Sequence, residues 1–311
     1  MKTTFSFLSS NGHTQVKAYR WTPERTPFKA IVQLTHGMTE HMNRYDSFAT
    51  FLSQQGILVV GHDHLGHGLT AEKSEDLGYF DPAHPSDALV ADMHILRTST
   101  QKDYPDLPYF MLGHSMGSYM LRKYLFSHAQ GLSGAVIMGT GDVPKATCEL
   151  GMTLARCMAL FRGWHYRSPM LQKLSTGGGP YKQYCLDGSQ ADRSWLTKDT
   201  EIVRAYYKDP LCTFRFTLNG YLGLFEAVRD DGMAENIRKM PQTLPILLVS
   251  GQDDPVGDLG EGVRRVEKRF RDAGMQDVTC TLYAGDRHEI LNELDRKKVY
   301  SDILQWITER L

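Results

Sequence analysis

Residues Gly113-His114-Ser115-Met116-Gly117 read G-x-S-x-G, and they follow the apolar run Tyr109-Phe110-Met111-Leu112. A helix-compatible stretch from Ser118 to His128 comes straight after. Strand, sharp turn and helix in that order form the context in which such a serine acts as a nucleophile. The turn forces Ser115 into a strained backbone region that lifts its hydroxyl out of the sheet. Gly113 and Gly117 keep Cβ atoms out of the crowded strand–helix junction. The N–H of Met116 then points to where a carbonyl oxygen would sit. Without that context the motif would be only a glycine-rich turn carrying an idle serine.

Outward from this turn, the chain alternates apolar strands with amphipathic helices. Phe5–Leu8 and Gln15–Tyr19 alternate at period two around Ser10-Asn11-Gly12, which predicts a hairpin. Further apolar runs are Ala30–Leu34, Ile57–Val60, Gly134–Met138, Pro245–Gly251 and Val278–Tyr283. Helix-period stretches lie between them at Tyr45–Gln54, Pro85–Lys102, Leu259–Ala273 and Leu294–Leu311. The pattern predicts an α/β fold with a mostly parallel, doubly wound sheet. It breaks over residues 142–240, which hold helical patches, a Gly177-Gly178-Gly179 loop and an aromatic-rich stretch from Tyr206 to Phe225. This segment is expected to be an inserted cap over the C-terminal edge of the sheet, with 1–141 and 241–311 forming the core. Loops on that edge build ligand sites.

The bulk numbers limit the function classes. The chain has 311 residues, 41% hydrophobic and 23% charged, with a net charge of −1. No basic field is available for nucleic acid. No apolar run reaches the length of a membrane span, and the start lacks a signal-peptide pattern. The five cysteines include no CxxC, so free thiols in a reducing, cytoplasmic setting are expected. His62, His64 and His67 cluster around Asp63, but without zinc-ligand spacing they read as a loop bracing the site from below. No metal and no cofactor are expected, and the sequence gives no oligomeric state.

A serine hydroxyl needs a base to take its proton, and that base needs an orienting carboxylate. After the last strand, Gly285-Asp286-Arg287-His288-Glu289 supplies His288. After the preceding strand, Gly251-Gln252-Asp253-Asp254 supplies two aspartates, of which Asp254 is preferred on motif spacing over Asp253. The chain order is then Ser, Asp, His. Either aspartate could instead cap the following helix. The first strand–helix loop, His36-Gly37-Met38, offers the Met38 N–H as a second oxyanion donor beside Met116, with His36 as a structural residue.

The motifs His36-Gly37-Met38-Thr39-Glu40-His41, Asp63-His64-Leu65-Gly66-His67-Gly68, Gly113–Gly117 and Asp286-Arg287-His288-Glu289 together resemble the monoacylglycerol lipase and lysophospholipase-like branch (serine aminopeptidase S33 type) of the α/β-hydrolase fold. The resemblance spans about residues 5 to 311. It implies Ser115 as nucleophile, Asp254 as orienter, His288 as base and a carboxylester hydrolase acting on single-chain lipid esters through an acyl-enzyme. Gly37, His114, Tyr184, Asn219, Tyr221 and Val256 are the candidate pocket residues. Tyr184, Arg193, Tyr206 and Asn219 could meet a glycerol-like head group. An aminopeptidase, thioesterase or acyltransferase on the same triad is the alternative within the class, and a non-catalytic ligand receptor is the alternative outside it. Met152, Met158, Leu160, Phe161 and Trp164 are candidates for transient membrane contact, against the expectation that they pack onto the sheet domain.

Overall fold

The apolar runs pair into one eight-stranded sheet in the order β1-β2-β4-β3-β5-β6-β7-β8 in the computed structural model, which describes residues 1–176 and 178–311. The strands are β1 (Lys2–Leu8), β2 (Gln15–Trp21), β3 (Ala30–Thr35), β4 (Ile57–His62), β5 (Tyr109–His114), β6 (Gly134–Met138), β7 (Ile246–Gly251) and β8 (Val278–Tyr283). β1 and β2 form the expected antiparallel hairpin, with Phe5 opposite Ala18, and β2 joins β4 antiparallel. Every later pairing is parallel. β3 to β7 are buried on both faces, which is why they read as continuous apolar runs rather than alternating ones. β1 lies at the edge, and its exposed Lys2, Thr3 and Thr4 keep that edge polar.

The helices are α1 (Asp46–Gln54), α2 (Pro85–Asp103), α3 (Met116–His128), α4 (Lys145–Arg162), α5 (Pro169–Thr176), α6 (Thr200–Lys208), α7 (Leu218–Asp231), α8 (Ala234–Ile237), α9 (Glu261–Asp272) and α10 (Arg296–Thr308). One face of the sheet packs Phe48, Ile303 and Trp306 from α1 and α10. The other packs Leu89 and Met93 of α2, Leu121 and Leu125 of α3, and Val263 and Phe270 of α9. Helices on both faces make the doubly wound arrangement. α9 shows the cause plainly: Val263, Val266 and Phe270 form its buried stripe beside Gly262, and the other residues of the helix are charged.

Between β6 and β7 the chain is helical, α4 to α8. α7 packs on α2 and α3, and α4 packs on α7. Asn219 and Tyr221 lie in this packing and are buried. The Asn219 amide accepts from Phe80 N–H at 2.8 Å and donates to the Asp81 carbonyl at 2.6 Å. Its hydrogen-bonding groups are therefore spent on the 80–81 loop, not held out to a head group. Tyr221, expected in the pocket, is buried, stacks on Phe225 and meets Phe216 edge-on. Of the apolar α4 residues, Met152 is buried, while Leu160 and Phe161 are 82% and 87% exposed, contrary to the packing expected of them. Gly177 of the glycine loop lies outside the described residues. Among the described residues no helix is long and apolar enough to cross a membrane.

Candidate active site

β5 ends at His114 and α3 begins at Met116, leaving Ser115 alone in the turn with φ +54° and ψ −121°. That backbone region disfavours any residue with a side chain, and here the flanking elements impose it. The glycines are needed for close approach. A Cβ on Gly117 would lie 2.2 Å from the Thr35 carbonyl, and one on Gly113 2.3 Å from the Gly117 carbonyl. Ser115 itself is half-buried, at the mouth of the turn.

His288 follows β8, and its Nδ1 lies 2.9 Å from Asp254 Oδ2. Asp254 is fully buried after β7 and accepts from the Ser250 hydroxyl at 3.1 Å and from the Val256 N–H at 2.8 Å. Val256 thus contributes a backbone donor that orients the carboxylate. Asp253 is exposed, and only its backbone is engaged, its N–H donating to the Asp286 carbonyl at 2.8 Å and its carbonyl accepting from the Tyr184 hydroxyl at 2.6 Å. The structure therefore brings Asp254, not Asp253, to His288. The carboxylate fixes the imidazole proton on Nδ1 and leaves the lone pair on Nε2, the form a general base needs. Among the described residues the Ser115 hydroxyl has no hydrogen bond to His288. Such bonds are commonly long before substrate enters and tighten with it. The rings of His114 and His288 lie 4.7 Å apart, and both would touch a Cβ built on Gly139.

The oxyanion loop runs from β3. A Cβ on Gly37 would meet Ser115 Cβ at 2.9 Å, so this loop lies directly against the nucleophile. The Gly37 N–H is already given to Glu40 Oε1 at 2.5 Å. Among the described residues the N–H groups of Met38 and Met116 have no acceptor, so they are the donors left for a developing oxyanion. Thr39 stands next to them at φ +52°, a second strained non-glycine residue, with its N–H toward His67 Nε2 at 3.3 Å.

His36 is buried, with Nδ1 on the Gly37 carbonyl at 2.8 Å and Nε2 accepting from the His64 N–H at 2.9 Å. Both ring nitrogens are thereby used in holding the loop, the structural role expected of it. Burial pushes His36, His62, His64 and His67 below the ordinary histidine range, His62 and His67 to about 3, so the cluster is neutral. Asp63 at its centre accepts from the N–H groups of Met42 and Leu69 and from the Tyr19 hydroxyl. The loop braces the site through backbone hydrogen bonds. A different trio has metal-ligand chemistry: ligand atoms of His41, Asp209 and Cys212, one from each, lie within 4.8 Å of one another. Burial raises the Cys212 thiol well above its ordinary range, and His41 pairs with Asp209 at 2.9 Å.

Sequence reasoning missed Trp195, Ser250 and the acid–base cluster beneath the site. The Trp195 ring stacks on His288 with centroids 4.9 Å apart, and its carbonyl accepts the His288 N–H at 3.3 Å. His114, expected in the pocket, is 4% exposed and faces inward to Glu40 and Tyr45. Arg44 forms a two-pronged pair with Glu289, both contacts 2.7 Å, and a third bond to Glu40 at 2.9 Å. The four-residue spacing of Glu40 and Arg44 was a readable signal, but their third partner lies 245 residues away.

The sequence profile of the family described as "Serine aminopeptidase, S33" matches residues 26–295. A "Monoacylglycerol lipase" of Mycolicibacterium smegmatis is 29% identical over 296 residues, covering 94% of this chain and 92% of its own. A "Monoglyceride lipase" of Mus musculus is 30% identical over 295 residues, covering 94% and 86%. Among solved structures, a thermostable carboxyl esterase from Bacillus coagulans in complex with glycerol superposes with a TM-score of 0.90 at 31% identity, covering 99% of this chain and 98% of that one.

Proposed function

Because the chain belongs to the serine aminopeptidase S33 family of α/β-hydrolases, we propose that it is a serine carboxylester hydrolase whose substrates are monoacylglycerol-like single-chain lipid esters. The observation that carries the reading is the fully buried Asp254 bonded to His288 Nδ1, on loops beside the strained Ser115 turn. In this reading His288 Nε2 takes the Ser115 proton as Oγ attacks the ester carbonyl. The oxyanion forms against the Met38 and Met116 N–H groups. His288 then protonates the departing alcohol, and a water deprotonated by His288 releases the acid from the acyl-enzyme.

Residues 142–240 are assigned as the lid. Trp195 and Leu196 of that segment accept backbone hydrogen bonds from His288 and Glu289, so lid and base loop are joined. The relatives named for monoglycerides, and the glycerol complex of the Bacillus coagulans esterase, support a glycerol-type head group. Leu160 and Phe161, exposed at the end of α4, with Leu174 of α5, suit transient contact with a lipid surface.

A substrate panel tests the reading. Monoacylglycerols of rising chain length should be cleaved faster than triacylglycerols or aminoacyl-naphthylamides. Each added methylene that enters the pocket contributes about 0.8 kcal/mol, or about fourfold in kcat/KM, until the pocket is full. A flat chain-length profile, or an aminoacyl-naphthylamide as the best substrate, would move the assignment to the peptidase chemistry of the same family.

A further inference from the structure

Beneath the site, four charged groups meet away from solvent. Glu40 lies in the oxyanion loop, Arg44 leads into α1, His114 immediately precedes the nucleophile, and Glu289 immediately follows the base. Glu40 Oε1 accepts from the Gly37 N–H at 2.5 Å and from the Tyr45 hydroxyl at 2.8 Å, and it faces His114 Nδ1 at 3.1 Å. Glu40 Oε2 and both Glu289 oxygens are taken by Arg44. His114 Nε2 faces the His288 carbonyl at 3.3 Å.

The partners of His114 bear on its protonation. Tyr45 gives its hydroxyl proton to Glu40, so its oxygen, 2.9 Å from His114 Nδ1, can only accept there. The carboxylate on the same side also only accepts, and so does the His288 carbonyl on the other. Both ring nitrogens therefore face acceptors, the arrangement an imidazolium satisfies with its two N–H groups. The charge sum agrees: two carboxylates against one guanidinium and one imidazolium give zero, whereas a neutral His114 would leave one buried negative charge unpaired.

We propose that Glu40, Arg44, His114 and Glu289 form a charge-balanced positioning network, with His114 an imidazolium, that locks the oxyanion loop, the nucleophile turn and the base loop into one geometry. By consuming the Gly37 N–H, Glu40 sets the peptide orientation that leaves the Met38 N–H free. By holding the residue before Ser115 and the residue after His288, the network ties nucleophile to base without touching the reacting atoms. The proposal rests on the hydrolase reading above.

The groups facing His114 are Glu40, Arg44 and Tyr45 from the oxyanion loop and its extension, and His288 and Glu289 from the base loop. Burial alone would push His114 down, but the Glu40 carboxylate, with Glu289 behind it, more than reverses this and holds it above the ordinary histidine range. Burial likewise acts to raise Glu40 and Glu289, and their cationic partners hold both below the ordinary carboxylate range. On the alkaline side His114 loses its proton and the balance breaks, so turnover falls as pH rises through that value.

Nitrogen-15 NMR of the full chain with labelled histidines tests the charge, and the spectrum of His114→Gln identifies the signal. At pH 6.5, about the usual histidine midpoint, both His114 ring nitrogens should still be predominantly protonated. A neutral ring at that pH overturns the proposal, and this measurement needs only the wild-type fold. Glu40→Gln keeps an acceptor for the Gly37 N–H but removes the charge. It should move the His114 titration down and lower kcat by about tenfold to a hundredfold, the scale of a slightly misplaced site, with KM within about twofold. Arg44→Lys should retain more of kcat than Arg44→Met. An unchanged kcat in Glu40→Gln alongside a shifted His114 titration refutes the positioning role. The hydrolase reading fails separately, if Ser115→Ala keeps wild-type hydrolysis whatever the state of His114.

Discussion

Asp253 and Asp254 are adjacent and chemically identical, yet their surroundings differ completely. Asp254 is fully buried with donors from Ser250, Val256 and His288, whereas Asp253 is exposed. Asp254→Asn should therefore cost about 10⁴ in kcat, because an amide at that position favours the wrong imidazole tautomer. Asp253→Asn should stay within a few-fold, since only its backbone N–H and carbonyl are used and the substitution leaves both in place. Comparing kcat for the two variants on one ester decides the matter, and a larger loss at Asp253 would contradict the assignment. At this scale the sequence was legible where a residue type and its backbone context determine a position, as at Ser115 in the strained turn and His288 beside Asp254. It was not legible where a role depends on partners distant in sequence. His114 and Asn219 are polar residues in a plausible place, and only the fold reveals that Glu40 and the 80–81 loop engage them.

At the scale of elements, the strands were readable because burial on both faces leaves an uninterrupted apolar run, and the period-two hairpin of β1 and β2 was readable because one face is wet. The segment between β6 and β7 was less so. α7 packs on α2 and α3 and α4 packs on α7, each burying one stripe, so Met152 and Leu160 of α4 look alike in sequence while one is buried and the other exposed. The exposed end of α4 carries a prediction. Changing Leu160 and Phe161 together to Glu should weaken co-sedimentation with phospholipid vesicles and slow hydrolysis of vesicle-borne monoacylglycerol. The kcat/KM for a short, water-soluble ester should change by less than about twofold, as is usual for exposed substitutions. Equal losses on both substrates would mean that these residues support the fold or the pocket rather than a lipid contact.

The whole molecule should be acid-sensitive for an identifiable reason. His36, His62, His64 and His67 are buried and neutral in the folded state, with His62 and His67 depressed to about 3. The unfolded chain takes up protons on these rings near pH 6.5 and the folded chain does not, so stability falls as pH drops below that point. Glu40 and Glu289 add a second loss at lower pH. Their folded values lie below the unfolded ones, so their contribution is present above about pH 4.3 and declines as they are protonated. The melting temperature should thus fall progressively from pH 7 to pH 4, beginning near 6.5, above the range where carboxylates titrate. A melting temperature that stays flat down to pH 5 would show that the histidine cluster is not neutral as described.

The account as a whole depends on Ser115 being an activated nucleophile, and covalent capture tests that most directly. Incubating the full chain with a fluorophosphonate probe and weighing the intact protein should show one added phosphonyl group, located by peptide mapping to Ser115. The adduct should be absent from Ser115→Ala, a variant whose hydrolysis should also drop by about 10⁴ to 10⁶. No adduct on the wild-type chain, or an adduct that persists in Ser115→Ala, would contradict the account.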